Sequence, residues 1–104
     1  MKVFRKLVRD RIPEIIAKDG QKAVTRVLDE KEFLTALGNK LLEEVQEFRA
    51  GTENKNEEIA DIYEVLDTLI DAYGFPEEEI QALRAKKRAE RGGFMSRIFL
   101  EKVE

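Results

Sequence analysis

Three stretches of this chain place apolar residues at three- and four-residue intervals, and each stretch runs into a glycine. That period lays a stripe along one face of an α-helix, and a chain that repeats it three times must bury three stripes. Leu34, Leu37, Leu41, Val45 and Phe48 make the first stripe, which predicts a helix over about 30–50 that Ala50-Gly51 stops. Asp29 stands as its N-cap, with Glu32 at the capping-box spacing. After the polar turn Thr52-Glu53-Asn54-Lys55-Asn56, the run from Ile59 through Ile62, Leu66 and Leu69 to Tyr73 predicts a second helix over about 56–73, capped near Asn56. Tyr63 and Tyr73 are expected in the core with their hydroxyls at its edge. Ile80 and Leu83 mark a third helix over about 77–91, with Pro76 at its start and Gly92-Gly93 at its end. Its first turn is acidic and its last turns basic, which complements the helix dipole.

Shorter elements flank these three. Asp10 to Lys18 reads as a short helix, with Pro13 tolerable only in the first turn. Residues 22–28 and 97–103 are short and rich in β-branched and apolar side chains, and they predict two strands that pair as a β ribbon. Short connections make neighbouring helices antiparallel. The expected fold is therefore mainly α. It is one domain over 1–104: an antiparallel bundle of three main helices plus a short N-terminal helix, with a small β ribbon from 22–28 and 97–103.

With 104 residues there is room for one modest core. No stretch approaches the roughly 20 apolar residues that cross a bilayer. Met1-Lys2-Val3-Phe4-Arg5-Lys6 is charged too early for a secretory signal, so a cytoplasmic protein without membrane attachment is expected. The chain has no His, Cys or Trp. That removes thiol nucleophiles, thiolate zinc sites and the commonest general base. Chemistry is left to carboxylates, Lys, Arg, Tyr, hydroxyls or a hard metal ion. The charges are also segregated: residues 1–28 carry a net +5, 29–79 a net −12 and 80–104 a net +4. Few aromatics and an acidic main helical stretch argue against a nucleic-acid platform.

The acidic middle holds two spaced pairs. Glu44 and Glu47 are i,i+3 neighbours on the first long helix, and Glu58 and Asp61 on the second. Counted from the Gly51 stop and from the next helix start, the pairs reach similar heights on antiparallel helices. At about 100° per residue, Glu44 falls within the stripe beside Leu37, and Glu58 falls between Val65 and Leu69. Glu47 and Asp61 fall at stripe edges. Carboxylates aimed into a helix seam are costly unless compensated, and a divalent cation with oxygen ligands compensates them most simply. Without His or Cys, Mg²⁺ fits, with Mn²⁺ as the alternative. Single E-x-x-E spacings are usually solvated; two pairs matched in height and tilt argue for a site. Glu43 and Glu57 read as surface, and Glu64 as a supporting residue. The opposing reading is structural: a Glu44 paired with a buried Lys or Arg.

Lys87 and Arg91 continue the inner stripe of the third helix past its last apolar turn, with Lys86 near its edge. Lys as a point charge and Arg as a fork suit phosphate oxygens, and Gly92-Gly93 offers free backbone N–H groups. A dipole-compensating, glycine-capped C-terminus explains the same residues nearly as well. At the N-terminus, Arg9 is a further candidate anion ligand, although a local pair or cap with Asp10 is the stronger reading.

Taken together, Glu43-Glu44-x-x-Glu47 followed by Glu58-x-x-Asp61 resembles the metal-binding motif of the MazG-type all-α nucleoside triphosphate pyrophosphohydrolases. Lys6-Leu7-Val8-Arg9-Asp10-Arg11-Ile12-Pro13 and Arg91-Gly92-Gly93-Phe94 look like the phosphoribosyl-ATP pyrophosphohydrolase-like subgroup. The resemblance implies that the four acids bind Mg²⁺ on a nucleotide's phosphates. It further implies hydrolysis between the α- and β-phosphates to a monophosphate and pyrophosphate, as house-cleaning of nucleotide pools. It implies a homo-oligomer, dimer or tetramer, of helix bundles. The ten residues between Glu47 and Glu58 are short for the family, which bears on the pocket mouth and on substrate identity. Three alternatives stand beside this reading. They are the phosphoribosyl-ATP hydrolase of histidine biosynthesis, a module that binds Mg-nucleotide without turnover, and a purely structural oligomerisation domain.

Overall fold

Local chemistry accounts for each helix end in the computed structural model, which describes residues 2–51 and 53–104. Met1 of the N-terminal run and Thr52 of the polar turn lie outside the described residues. The first helix, α1 (Ile12–Lys18), carries Pro13 in its first turn, where a missing N–H costs nothing. The second, α2 (Glu30–Ala50), opens on a complete capping box. Glu32 N–H donates to Asp29 Oδ1 at 2.8 Å, and Asp29 N–H donates back to Glu32 Oε1 at 3.4 Å. Arg26 grips the same Glu32 carboxylate at 2.9 Å. Helix α2 ends at Gly51 with an extended φ of −73°, not in the left-handed region. Glycine is useful there for space: a Cβ would meet the Glu47 carbonyl at 3.1 Å.

The third helix, α3 (Lys55–Tyr73), starts one residue before the expected boundary. Its cap is not Asn56. Asn54 turns the chain at φ 58°, a conformation asparagine tolerates better than most residues, and its carbonyl accepts from Glu57 and Glu58 N–H. Lys55 Nζ reaches back to donate to the Phe48 carbonyl, with its ammonium 4.5 Å above the Phe48 ring. Glu58 then meets Glu44 and Glu47. Contacts that run down α2 as they run up α3 define an antiparallel hairpin. Its seam is centred on Leu37 and Val65, 2% and 8% exposed, and Glu44 is buried with them at 6%. The N-terminal segment ties onto both arms of the hairpin: Lys6 pairs with Glu43 at 3.4 Å, and Arg9 with Asp61 at 2.7 Å.

These elements form one compact unit that ends at Tyr73; Gly74–Glu104 form a second. The second unit consists of α4 (Glu77–Arg91) and the tail that follows it. Gly92 caps α4 at φ 83°, and its N–H donates to the Arg88 carbonyl at 2.8 Å.

Two expectations are overturned here. No β-strand occurs among the described residues, so there is no β ribbon from 22–28 and 97–103, and the fold is all α. β-Branched composition reports fitness for a pleated, half-buried surface, and neither segment is offered one. Val24 and Val27 stand 91% and 96% exposed, Phe99 stands 86% exposed, and Arg97 turns the backbone to φ 59° where the second strand was to begin. The tyrosines are also not core residues, because Tyr63 and Tyr73 lie on the exposed side of α3. No helix among the described residues is long and apolar enough to cross a membrane.

Candidate functional site

Helix register and hairpin geometry bring three of the four motif acids together. Glu44, Glu47 and Glu58 each place a carboxylate oxygen within 4.8 Å of the others. Glu44 is buried, Glu58 half-buried and Glu47 open to solvent. Glu44 Oε2 and Glu58 Oε2 are both buried without a hydrogen-bond partner. A buried carboxylate oxygen left unpaired is costly, so these two atoms are open to a cation or a hydrogen-bond donor. The set is made only of hard oxygen donors, which fits Mg²⁺ or Mn²⁺. Partial desolvation, followed by the negative charge of Glu44 and a shared hydrogen bond with it, pushes the Glu47 carboxyl above the ordinary carboxylate range, and Glu58 and Glu43 add to this.

Asp61 stands apart from the trio and is the partner of Arg9, 2.7 Å away. Arg9 therefore pairs across 52 residues instead of with its neighbour Asp10. No local pattern signals this contact, because the i,i+3 spacing of Glu58 and Asp61 is blind to the N-terminal segment. Glu43 is half-buried between Lys6 and Lys40, both at 3.4 Å.

Lys40 was missed by the sequence reading. Its ammonium lies 3.2 Å from Glu44 Oε1 and its side chain is only 16% exposed. Burial pulls its pKa down, but the hydrogen bond to Glu44 and the charges of Glu43 and Glu44 outweigh that and hold it above the ordinary lysine value. The signal was present as i,i+3 and i,i+4 spacing to two acids. Lys40 satisfies one oxygen of Glu44 and leaves the other free.

A cavity of about 480 Å³ opens beside Glu44, between the N-terminal segment and the hairpin. Leu7, Val8, Phe33, Leu37 and Val65 line its apolar side. Arg9, Asp10, Arg11, Lys40, Asp61, Glu64 and Thr68 supply its other polar groups. The remaining expected anion ligands, Lys86, Lys87 and Arg91, are exposed on the last turns of α4 in the second unit.

No family model matches the chain, and no solved structure matches it. A 44-residue segment is 54% identical to an uncharacterized protein of Mycolicibacterium smegmatis, covering 42% of this chain and 45% of that relative. The chain thus matches less than half of that relative's length.

Proposed function

We propose that the chain is a Mg²⁺-dependent nucleotide pyrophosphohydrolase of the MazG type, cutting a nucleoside triphosphate between its α- and β-phosphates. A house-cleaning role and a homo-oligomeric state belong to the same proposal. The observation that carries it is the convergence of Glu44, Glu47 and Glu58 with two buried, unpartnered carboxylate oxygens. These residues would hold the ion, with Asp61 joining them only after releasing Arg9. A bound divalent cation neutralises phosphate charge and lowers the pKa of a coordinated water. Glu44 or Glu47 would orient the attacking water, because the chain has no histidine to do so. Arg9, once released from Asp61, offers a guanidinium fork to phosphate oxygens. Lys86, Lys87 and Arg91 are assigned the same anion chemistry on their residue types and spacing alone.

The test is a panel of nucleotides with Mg²⁺, including phosphoribosyl-ATP, scored for pyrophosphate release with and without EDTA. Activity that survives complete chelation removes the metal mechanism. Binding of nucleotides without pyrophosphate supports a non-catalytic module. One observation favours a structural reading: Lys40 already neutralises Glu44 at 3.2 Å. Thermal melts of Glu44→Gln in EDTA and in Mg²⁺ separate that reading from the metal site.

A further inference from the structure

We propose that the cavity between the N-terminal segment and the α2–α3 hairpin holds the nucleoside of the substrate, within a single chain, and that it selects a base carrying an exocyclic amino group. The inference rests on the proposed function and adds the half of the substrate that the carboxylates do not touch.

Continuity is the first argument. Glu44 belongs both to the carboxylate trio and to the cavity wall, and its Oε2 is buried without a partner. A ligand seated in the cavity therefore has one end against Glu44, the member of the trio that both share. The second argument is size and lining. About 480 Å³ lies within the usual range for small-molecule sites, which are mostly apolar with a few placed polar groups. Phe33, Leu37 and Val65 offer a flat ring an apolar surface, while Arg9 and Lys40 stand on the same wall for an anionic tail. A flat, partly apolar heterocycle joined to a polyanion has this distribution of chemistry.

The third argument concerns the base edge. Thr68 lines the cavity, and its hydroxyl proton is already given to the Glu64 carbonyl at 2.9 Å. Its oxygen is left as an acceptor. An ionised Glu64 carboxylate, also on the wall, offers acceptors and no donor. Asp61 is held by Arg9 in the free protein and turns to the ion once Arg9 is released, so it is not open to the base. Arg11, also on the wall, is paired with Glu14 at 3.2 Å. The polar groups left for a base are thus acceptors, and they are matched by an amino group, not a carbonyl. Adenine and cytosine present one where hypoxanthine and uracil do not.

The experiment measures affinity by calorimetry, in Mg²⁺, for α,β-methylene analogues of ATP, ITP, CTP and UTP and for inorganic tripolyphosphate. The analogues are expected to bind at least tenfold tighter than tripolyphosphate, and the amino-bearing member of each pair about tenfold tighter than its oxo counterpart. Glu64→Gln should erase that preference. Val8→Trp, which fills the cavity from the N-terminal segment, should weaken the analogues at least tenfold and leave tripolyphosphate unchanged. Methyl NMR of the unmutated protein provides a readout independent of any variant's folding: Leu37 and Val65 signals should move with the analogues and not with tripolyphosphate. Methyl signals unmoved by a bound analogue would overturn the cavity assignment. Equal affinities within each pair would overturn the amino selection. Failure to bind either tripolyphosphate or any analogue would overturn the pyrophosphohydrolase reading and this inference with it, whereas tight binding that ignores Val8→Trp overturns only the inference.

Discussion

Replacing Glu44 with Gln separates a metal ligand from a structural ion pair, and the structure sets the expected size of the effect. The Lys40 ammonium is 3.2 Å from Glu44, an attraction of about 5 kcal/mol at an effective dielectric of about 20. Against it stand Glu47 and Glu58, whose oxygens approach within 4.8 Å; each repels an ionised Glu44 by about 3.5 kcal/mol at the same screening. Glu47 is open to solvent, so its share is screened below that figure and the repulsions about cancel the one attraction, while desolvation of a side chain 6% exposed adds to the cost. Lys40 is not stranded by the change, because Glu43 remains 3.4 Å away. Metal-free Glu44→Gln should therefore be as stable as the parent or more so, with any loss below about 1 kcal/mol. For a domain of this length such a loss is at most about 4–8 °C in Tm. Millimolar Mg²⁺ should raise the parent's Tm by binding the native state, worth about 2.7 kcal/mol at a hundredfold excess over Kd, and should barely move the mutant. Pyrophosphate release should disappear. Thermal melts of both proteins in EDTA and in Mg²⁺ provide the assay. A loss of about 3–5 kcal/mol in EDTA with the Mg²⁺ shift intact would refute the reasoning and make Lys40–Glu44 a core ion pair.

Other outcomes follow from the same structure. Lys87→Ala with Arg91→Ala should lower kcat/KM by the equivalent of about 1–3 kcal/mol while leaving the circular dichroism unchanged, since both side chains are exposed on α4; unchanged efficiency would leave them a capping role alone. Asp29→Ala removes one half of the capping box and should cost about 1 kcal/mol in urea melts. Because the folded-state pKa of Glu47 is raised above its unfolded value, its favourable contribution is complete below the ordinary carboxylate pKa and is lost as pH rises through the folded value. In EDTA, the parent should therefore lose stability relative to Glu47→Gln as pH rises through that window, and urea melts at stepped pH that show the opposite slope would refute the assignment. Leu42 and Tyr63 are more than 60% exposed on the hairpin, so self-association is expected, and a monodisperse monomer by light scattering at micromolar concentration would count against it.

The sequence by itself determined the helices, because the interactions that start and stop them reach only a few residues. Asp29 finds Glu32 three positions on, and the 3.6-residue period of the first stripe places Leu37 and Glu44 in the seam before any contact is known. The meeting of Glu44, Glu47 and Glu58 was legible for the same reason, since two helix registers and one short connection nearly suffice to set it. Lys40 was legible by spacing alone and was overlooked. Where pairing is non-local, composition was not enough. Val24, Val27 and Phe99 have the side chains of a strand, but a strand exists only through a hydrogen-bonded neighbour, and no local pattern supplies one. Tertiary structure alone decided that Arg9 takes Asp61 out of the trio, that Tyr63 faces outward, and that the N-terminal segment walls a cavity against the hairpin. Each depends on which surfaces the chain brings together across tens of residues, and an amphipathic period names a buried face without naming what covers it.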